Sequence, residues 1–255
     1  MNRSNLAAQL YTVRQFTQNE RDLRESFRKI REIGYTAVQV SAIGPIEPER
    51  VKAAADEFGL SICATHVGFD RLQNEFEQVV AMHQLWNCDY VGVGSMPPAY
   101  RGSAEGFAAF AKEAGAIAQR LKERGLQFIY HNHKFEFERF GSGRTGIRML
   151  LEDTDPDAFG FELDLYWVQA GGADPGEWIR NVRGRMDVVH LKDMAIVQDQ
   201  QATAEIGEGN MNYGPLIEAC RDIGVKWYVV EQDDCRRDPF DSLAISYRNL
   251  QKYIG

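Results

Sequence analysis

The residues best suited to chemistry are concentrated in "QFIYHNHKFEFERF", residues 127–140. An apolar run there ends in His131 and His133, and Glu136 and Glu138 follow within a few positions. Imidazole and carboxylate groups can move protons or bind a metal ion, because both carry basic lone pairs. Buried strands do not usually end in such groups, so this segment indicates a functional site at a strand end.

Similar groups end other apolar runs. Asp164 ends "FGFELD", His190 and Lys192 lie two residues apart in "VVHLKDM", and Glu231 ends "WYVVE". A lone carboxylate is costly to bury, so Glu231 predicts a cation nearby. Carboxylates together with one or two imidazoles suit Mn²⁺, Mg²⁺, Co²⁺ or Zn²⁺.

Each of these residues also has a simpler interpretation. A single histidine at a strand end is more often a hydrogen-bonded structural residue than a metal ligand. Asp164 and Asp193 follow strands at positions where an acidic side chain can cap the next helix. The joint occurrence of the groups on several strands favours the metal site over these separate explanations.

The elements that must position these groups are eight short runs rich in apolar, β-branched and aromatic residues, as buried strands are. They cover residues 6–11, 37–41, 61–66, 90–94, 127–131, 159–164, 187–191 and 227–231. Amphipathic helical patterns lie between them, most clearly at 104–124. This alternation predicts a (β/α)8 TIM barrel, an α/β fold that forms a single domain over residues 1–255. A doubly wound open sheet is the main alternative, but the first strand lacks a GxGxxG turn.

A barrel of this kind has its active site at the carboxyl ends of its strands. Residues two apart on a strand share a face, so His190 and Lys192 point the same way. The sequence therefore predicts that Asp164, His190 and Glu231, from three consecutive strands, converge at the mouth of the barrel.

Composition narrows the class of protein. The chain has a formal net charge of −8 and no Lys/Arg-rich run, so a nucleic-acid partner is not expected. Its apolar runs are too short to cross a bilayer, and its N-terminus lacks the apolar core of a signal peptide. Four widely spaced cysteines favour reduced thiols over a structural zinc site. We expect a cytoplasmic protein that binds a small molecule and has no membrane partner. A homo-oligomer is compatible with the sequence.

Six stretches resemble the sugar phosphate isomerase/epimerase family of the xylose isomerase-like TIM barrel superfamily. They are "QLYTVR" (9–14), "YHNHKFEF" (130–137), "FELDLYWVQAGGADP" (161–175), "VVHLKDM" (188–194), "EIGEGNMNY" (205–213) and "YVVEQDD" (228–234). They occur in order over nearly the whole chain. The superfamily includes ketose epimerases, aldose–ketose isomerases and inosose dehydratases, so the resemblance implies the fold more specifically than the reaction.

The resemblance also implies a ligand set. Related epimerases hold a divalent ion with Glu, Asp, His and Glu from strands 5 to 8, and the last three match Asp164, His190 and Glu231. In strand 5 this chain has "YHNH" where those epimerases have the first glutamate. Glu136 is the nearest acidic substitute, and His131 or His133 remains as an alternative ligand.

The resulting expectation is a divalent-metal-dependent isomerase, epimerase or dehydratase-type lyase acting on a sugar, polyol or keto-sugar. It would remove a proton next to a carbonyl, with His133, Glu136, Lys192 and Glu231 as the catalytic residues. Replacing one of the two epimerase glutamates by imidazole suits dehydration. Lys192 would stabilise the enolate oxygen.

Four residues are expected to bind the substrate: Gln9, His66, His131 and Trp167. The loop "GEGNMNYGPL" (207–216) is more simply a turn than a part of the substrate site. Two other functions remain as alternatives, an endonuclease IV-like DNA-repair enzyme and a non-catalytic sugar-binding barrel. The net charge of −8 argues against the first of these.

Overall fold

Eight parallel strands close into a barrel in the computed structural model, which describes residues 1, 5–141 and 143–254. The barrel strands are β1 (Leu6–Gln9), β2 (Ala37–Val40), β3 (Ser61–His66), β4 (Tyr90–Val93), β5 (Gln127–His131), β6 (Phe159–Asp164), β7 (Val188–Leu191) and β10 (Trp227–Val230). They follow one another around the barrel in this order, and β10 pairs with β1 to close it. The predicted TIM barrel is confirmed, since each predicted apolar run contains one of these strands.

A two-stranded antiparallel hairpin interrupts the alternation after β7. It consists of β8 (Asp193–Val197) and β9 (Gln200–Ala204). Its two turn residues, Gln198 and Asp199, both have positive φ, which matches the right-handed twist of the strands. This hairpin was not predicted from the sequence, because "QDQQ" lacks the glycine that usually marks such a turn.

Ten α-helices surround the barrel within the described residues. They are α1 (Glu20–Ile33), α2 (Pro48–Glu57), α3 (Phe69–Asn74), α4 (Phe76–Trp86), α5 (Ala104–Glu123), α6 (Gly146–Asp153), α7 (Leu165–Ala170), α8 (Pro175–Asn181), α9 (Tyr213–Ile223) and α10 (Pro239–Leu250). The Ser103 hydroxyl accepts a hydrogen bond from Gly106 N and caps α5. Gly125, with φ +74°, follows the end of this helix, as predicted. None of these helices has both the length and the apolar character needed to cross a membrane.

The apolar core has two parts. The larger part lies between the strands and the helices, and the smaller part fills the barrel interior. The interior part contains Ala7, Ala37, Cys63, Ala64, Tyr90, Ile129, Val188 and Val229. It is a packed floor on which a layer of polar side chains rests.

Candidate active site

The polar layer begins two residues after the apolar floor on six barrel strands. Successive side chains of a strand alternate between faces, so each pair of residues two apart points into the barrel. The pairs are Ala7 and Gln9, Ala37 and Gln39, Ala64 and His66, Ile129 and His131, Val188 and His190, and Val229 and Glu231. The floor therefore keeps water away from one side of the polar groups and leaves the other side to the barrel mouth.

Four buried side chains converge at the mouth, namely His131, Asp164, His190 and Glu231. Each offers one donor atom, and these four atoms lie within 4.8 Å of one another. His190 Nδ1 is 3.0 Å from Glu231 Oε2 and 3.8 Å from Asp164 Oδ2. His131 Nε2 is 3.4 Å from Asp164 Oδ2. The structure thus brings Asp164, His190 and Glu231 together, with His131 as the fourth group.

Asp164 uses its two oxygens for different partners. Oδ1 accepts a hydrogen bond from Trp167 N and caps α7, while Oδ2 faces the histidines. The capping and site interpretations of this residue are therefore compatible. Its backbone N–H donates to the side chain of Asn132, which ties the end of β6 to the segment after β5.

Lys192 brings a positive charge to the same oxygens. Its fully buried Nζ lies 2.8 Å from Asp164 Oδ2, 2.8 Å from Glu231 Oε2 and 2.7 Å from Asp233 Oδ2. Burial alone would lower the pKa of Lys192, but the three carboxylates outweigh it and hold the pKa well above its ordinary value. The ammonium group is therefore charged at neutral pH.

Opposite charges also set the protonation of the neighbouring groups. Burial disfavours a charged imidazole, but Glu162 and Glu231 outweigh it and raise the pKa of His190 to about 10. Burial likewise opposes ionisation of Glu231, and the charges of Lys192 and His190 outweigh it and hold the pKa of Glu231 well below its usual range. The cluster consists of ionised carboxylates balanced by nearby cations.

Glu162 and Gln39, which were not predicted as site residues, form a second polar group against His190. His190 Nε2 lies 2.6 Å from Gln39 Oε1 and 3.3 Å from Glu162 Oε1. Glu162 Oε2 lies 2.6 Å from His66 Nε2. The signal was present, because Glu162 lies two residues before Asp164 on β6 and Gln39 is a polar residue within an apolar strand.

His133 stands beside the cluster. Its ring centroid is 5.0 Å from that of His131 and 5.4 Å from that of Trp167. Burial lowers the pKa of His133 to about 3, so the ring is neutral at pH 7. Its Nδ1 and the Trp167 Nε1 are buried and have no hydrogen-bond partner among the described residues. Lys192 Nζ is 5.5 Å from the Trp167 ring centroid.

The structure does not bring Glu136 into this group. Its Oε1 accepts a hydrogen bond from the Tyr130 hydroxyl at 2.7 Å, and its Oε2 accepts one from His133 N at 2.9 Å. Both oxygens of this fully buried side chain are therefore occupied by hydrogen bonds in the wall behind the site. The group from β5 in the cluster is His131, the alternative that the sequence left open.

An open cleft of about 340 Å³ leads to the cluster. It is lined by Tyr11, Ser41, His66, Val67, Gly68, Phe69, Gly94, Ser95, His131, His133, Glu231 and Asp233. His66 and His131 of the predicted substrate-binding residues line this cleft. Gln9 is fully buried, and its Oε1 accepts a hydrogen bond from Tyr11 N at 3.3 Å, whereas its Nε2 has no partner among the described residues.

Asp193 organises the glycine-containing loop instead of entering the site. Its Oδ1 accepts hydrogen bonds from Met194 N and Met211 N, and its Oδ2 accepts from Gly207 N and Gly209 N. A Cβ on Gly209 would collide with Asp193 Oδ1, so this position excludes a side chain. Asp193 thus holds the loop as a turn rather than capping a helix.

Several known proteins are similar to this chain in sequence or in structure. An inosose dehydratase of Geobacillus kaustophilus is 22% identical over 263 residues, which are 88% of this chain and 83% of that protein. A sugar phosphate isomerase/epimerase from Parabacteroides distasonis superposes with a TM-score of 0.83 at 23% identity, covering 98% of this chain and 94% of that chain. The probable 3-DHS dehydratase from Bacillus anthracis superposes with a TM-score of 0.73 at 13% identity, covering 98% of this chain and 99% of that chain.

The sequence itself matches a family model over most of its length. The model describes the xylose isomerase-like TIM barrel, and the match extends over residues 27–252. The matched range contains seven of the eight barrel strands and all four groups of the cluster. This chain therefore belongs to the xylose isomerase-like TIM barrel family.

Proposed function

We propose that this protein is a divalent-metal-dependent enzyme that removes a proton next to the carbonyl of a neutral keto-sugar or keto-polyol. The observation that carries the proposal is the buried group of two imidazoles and two carboxylates beside Lys192, at the inner end of an open cleft. A dehydratase-type lyase is the reaction we favour, and an isomerase or epimerase is the alternative.

The donor set fits a divalent ion. His131, Asp164, His190 and Glu231 would hold it, because two imidazole nitrogens and two carboxylate oxygens within 4.8 Å suit Mn²⁺, Co²⁺, Zn²⁺ or Mg²⁺. When bound, such an ion polarises a carbonyl oxygen and so acidifies the neighbouring C–H bond.

The cleft wall suits a neutral polyhydroxylated ring. Tyr11 and Phe69 present aromatic surface, while Ser41, Ser95 and His66 present groups that can exchange hydrogen bonds with hydroxyls. Among its lining residues within the described chain are the carboxylates of Glu231 and Asp233 but no lysine or arginine. A phosphorylated substrate would meet like charge there, so we assign an uncharged sugar or polyol to the site.

Proton transfer is assigned to His133. Its ring lines the cleft and has a buried nitrogen with no partner among the described residues, so a substrate group in the cleft can exchange a proton with it. The Lys192 ammonium group would stabilise negative charge that develops on the carbonyl oxygen. Glu231 would orient the substrate by helping to hold the ion. Glu136 would not react itself; it would hold His133 in place by accepting a hydrogen bond from the His133 backbone N–H.

Two findings favour dehydration over epimerisation. Epimerases of this superfamily need a carboxylate on each face of the substrate carbon, and here the strand-5 position holds His131. Relatives similar to this chain include an inosose dehydratase and a probable 3-DHS dehydratase. The likeness to a sugar phosphate isomerase/epimerase keeps isomerisation as the second candidate.

The test is metal analysis of the purified protein, followed by NMR of keto-sugars and inososes incubated with it in D₂O. We expect deuterium uptake next to a carbonyl, or loss of water, that depends on Mn²⁺ or Co²⁺. His133→Ala should lower the rate by about 10² to 10⁴, while the control His83→Gln should not, because His83 bonds to Thr65 and Val79 O outside the cleft. Exchange that is unaffected by chelation, or equal in both variants, would contradict the proposal.

A further inference from the structure

His190 belongs to two groups of potential ligands at once. The first group contains His131, Asp164 and Glu231, and the second contains His66 and Glu162. The second group has metal-compatible residue types at a suitable separation. Whether it is another metal site depends on which atoms of His190 each group uses.

The two groups use opposite nitrogens of the same ring. Nδ1 faces Glu231 Oε2 at 3.0 Å, whereas Nε2 faces Gln39 Oε1 at 2.6 Å and Glu162 Oε1 at 3.3 Å. A neutral imidazole has one lone pair and one N–H, so it can ligate an ion through only one nitrogen. The nitrogen that does not ligate must donate its proton to a neighbour.

His190 Nε2 already has two oxygen atoms beside it that can accept a hydrogen bond from its N–H. The Gln39 amide donates its Nε2–H to Glu162 Oε1 at 2.8 Å, which turns the Gln39 carbonyl oxygen towards His190. His66 Nε2 lies against the other oxygen of Glu162 at 2.6 Å. Gln39, Glu162 and His190 are fully buried on the apolar floor, where an N–H without an acceptor would be costly.

His131 shows the same arrangement independently. Its Nδ1 lies 3.0 Å from the carbonyl oxygen of Gly94, and its Nε2 faces Asp164. A carbonyl oxygen can only accept, so Nδ1 carries the proton and the lone pair of Nε2 is free for the cluster. In both histidines, one nitrogen is anchored in the wall of the barrel and the other faces the candidate metal site.

We infer that Glu162 and Gln39 are positioning residues that fix His190 with its proton on Nε2 and its Nδ1 towards Asp164 and Glu231. The group of His66, Glu162 and His190 is therefore a support for one metal site and not a second metal site. This inference rests on the proposed function for the identity of the ion, but the arrangement of the His190 ring can be measured without it. Such outer partners of a ligating histidine typically contribute 10- to 100-fold in metal affinity.

The first experiment is a Mn²⁺ titration of the full-length protein and its variants. We expect one ion per chain in the wild type and an affinity lowered about 10- to 100-fold in Gln39→Leu/Glu162→Leu. Glu162→Gln keeps an acceptor oxygen for His190, so it should retain most of the affinity. Thr65→Val is the matched control, because it removes a buried hydroxyl of β3 that bonds to His83. Circular dichroism checks that each variant is folded.

Two results would overturn the inference. One is two ions per chain, with the second lost in His66→Gln. The other is an unchanged affinity in the folded double variant. If the double variant does not fold, Gln39→Met/Glu162→Met provides the same comparison, because it also removes both acceptors but keeps side chains of similar length.

The second experiment is proton–nitrogen NMR of the histidine side chains, with His190 assigned from a His190→Gln variant. We expect a proton on His190 Nε2 in both the metal-free and the Zn²⁺-loaded protein, and Zn²⁺ on Nδ1. A proton on Nδ1 with a bare Nε2 would refute the inference whether or not the protein binds metal. A wild type that binds no Mn²⁺ or Zn²⁺ but carries the Nε2 proton would instead refute the proposed function and leave the positioning role standing.

Discussion

At the residue scale, Lys192 shares its carboxylate partners with the candidate metal site. The oxygens that it contacts, Asp164 Oδ2 and Glu231 Oε2, are the same ones that face the two histidines. A neighbouring ammonium group opposes the binding of a second cation, yet it also holds these oxygens in place when no ion is present. Lys192 should therefore raise the stability of the metal-free protein and lower its affinity for the ion.

Lys192→Met tests this directly. In the metal-free protein it removes the ammonium group that contacts three carboxylates, and breaking a buried ion pair typically costs about 3–5 kcal/mol. Mn²⁺ affinity should be equal or higher, because a competing charge has gone, and kcat should fall about 10²- to 10³-fold if Lys192 stabilises the enolate oxygen. Thermal unfolding with and without Mn²⁺, a metal titration and steady-state kinetics measure the three effects. Full turnover at saturating Mn²⁺ would reject the catalytic role of Lys192 and leave only support of the site.

At the scale of elements, the segment after β5 depends on one buried carboxylate. Glu136 joins the Tyr130 hydroxyl to His133 N, and so positions the His133 ring in the cleft wall. Burial raises the pKa of Glu136 from 4.5 to about 7. The folded protein therefore holds this proton more tightly than the unfolded chain does.

This shift predicts a pH dependence of stability. A carboxyl group whose pKa is raised by folding stabilises the protein fully below pH 4.5, and this stability is lost as the pH rises through about 7. Glu136→Gln has no such proton, so its stability relative to the wild type should increase by about 2–3 kcal/mol between pH 5 and pH 8. Urea unfolding at both pH values measures the difference. The opposite sign, with the wild type gaining at pH 8, would mean that Glu136 is ionised more easily in the folded state.

The hairpin and the loop after it depend on Asp193 in a comparable way. This carboxylate accepts four backbone N–H groups from residues 194–211. Asp193→Asn replaces one acceptor oxygen by a donor, so at least one partly buried N–H loses its partner at a cost of about 1 kcal/mol.

We expect this variant to show a lower unfolding midpoint and faster hydrogen exchange at residues 205–211. Mn²⁺ affinity should change little, since Asp193 donates no atom to the cluster. The exposed variant Asp199→Asn at the tip of the hairpin is the control. Unchanged exchange in the loop would show that its other contacts are sufficient to hold it.

At the scale of the whole molecule, the candidate metal groups join separate parts of the barrel. They come from the ends of β5 and β6, from β7, and from the residue after β10, so one ion would link strands that are 100 residues apart between His131 and Glu231. A ligand that binds only the folded state raises the free energy of unfolding, and the increase grows with the ratio of the free ligand concentration to the dissociation constant.

Chelation should therefore lower the stability of the whole barrel. At a Mn²⁺ concentration about 100 times the dissociation constant, the ion adds about 2.7 kcal/mol, which corresponds to roughly 5–10 °C in Tm for a domain of this size. Calorimetry with EDTA and with added Mn²⁺ measures this shift. Asp164→Asn should remove most of the dependence on Mn²⁺, and an unchanged dependence in that variant would place the ion elsewhere.

The sequence by itself determined the barrel and much of its mouth. Alternation of apolar runs with amphipathic patterns identifies strands and helices, because both periodicities follow from local backbone geometry. Once the barrel is known, residues such as His190 and Glu231 at the ends of strands must meet, since parallel strands in a barrel end on the same side. The fold and the convergence of Asp164, His190 and Glu231 were predictable for this reason.

Tertiary structure decided the roles of residues that look alike in the sequence. Glu136 and Glu162 are both fully buried acids, but one closes the wall around His133 and the other supports His190. Asp164 and Asp193 both follow strands, but only Asp164 faces the histidines. The bond between Gln39 and Glu162 joins residues 123 positions apart. No local period encodes such a contact, because it depends on the register and spacing of strands that meet only when the barrel closes.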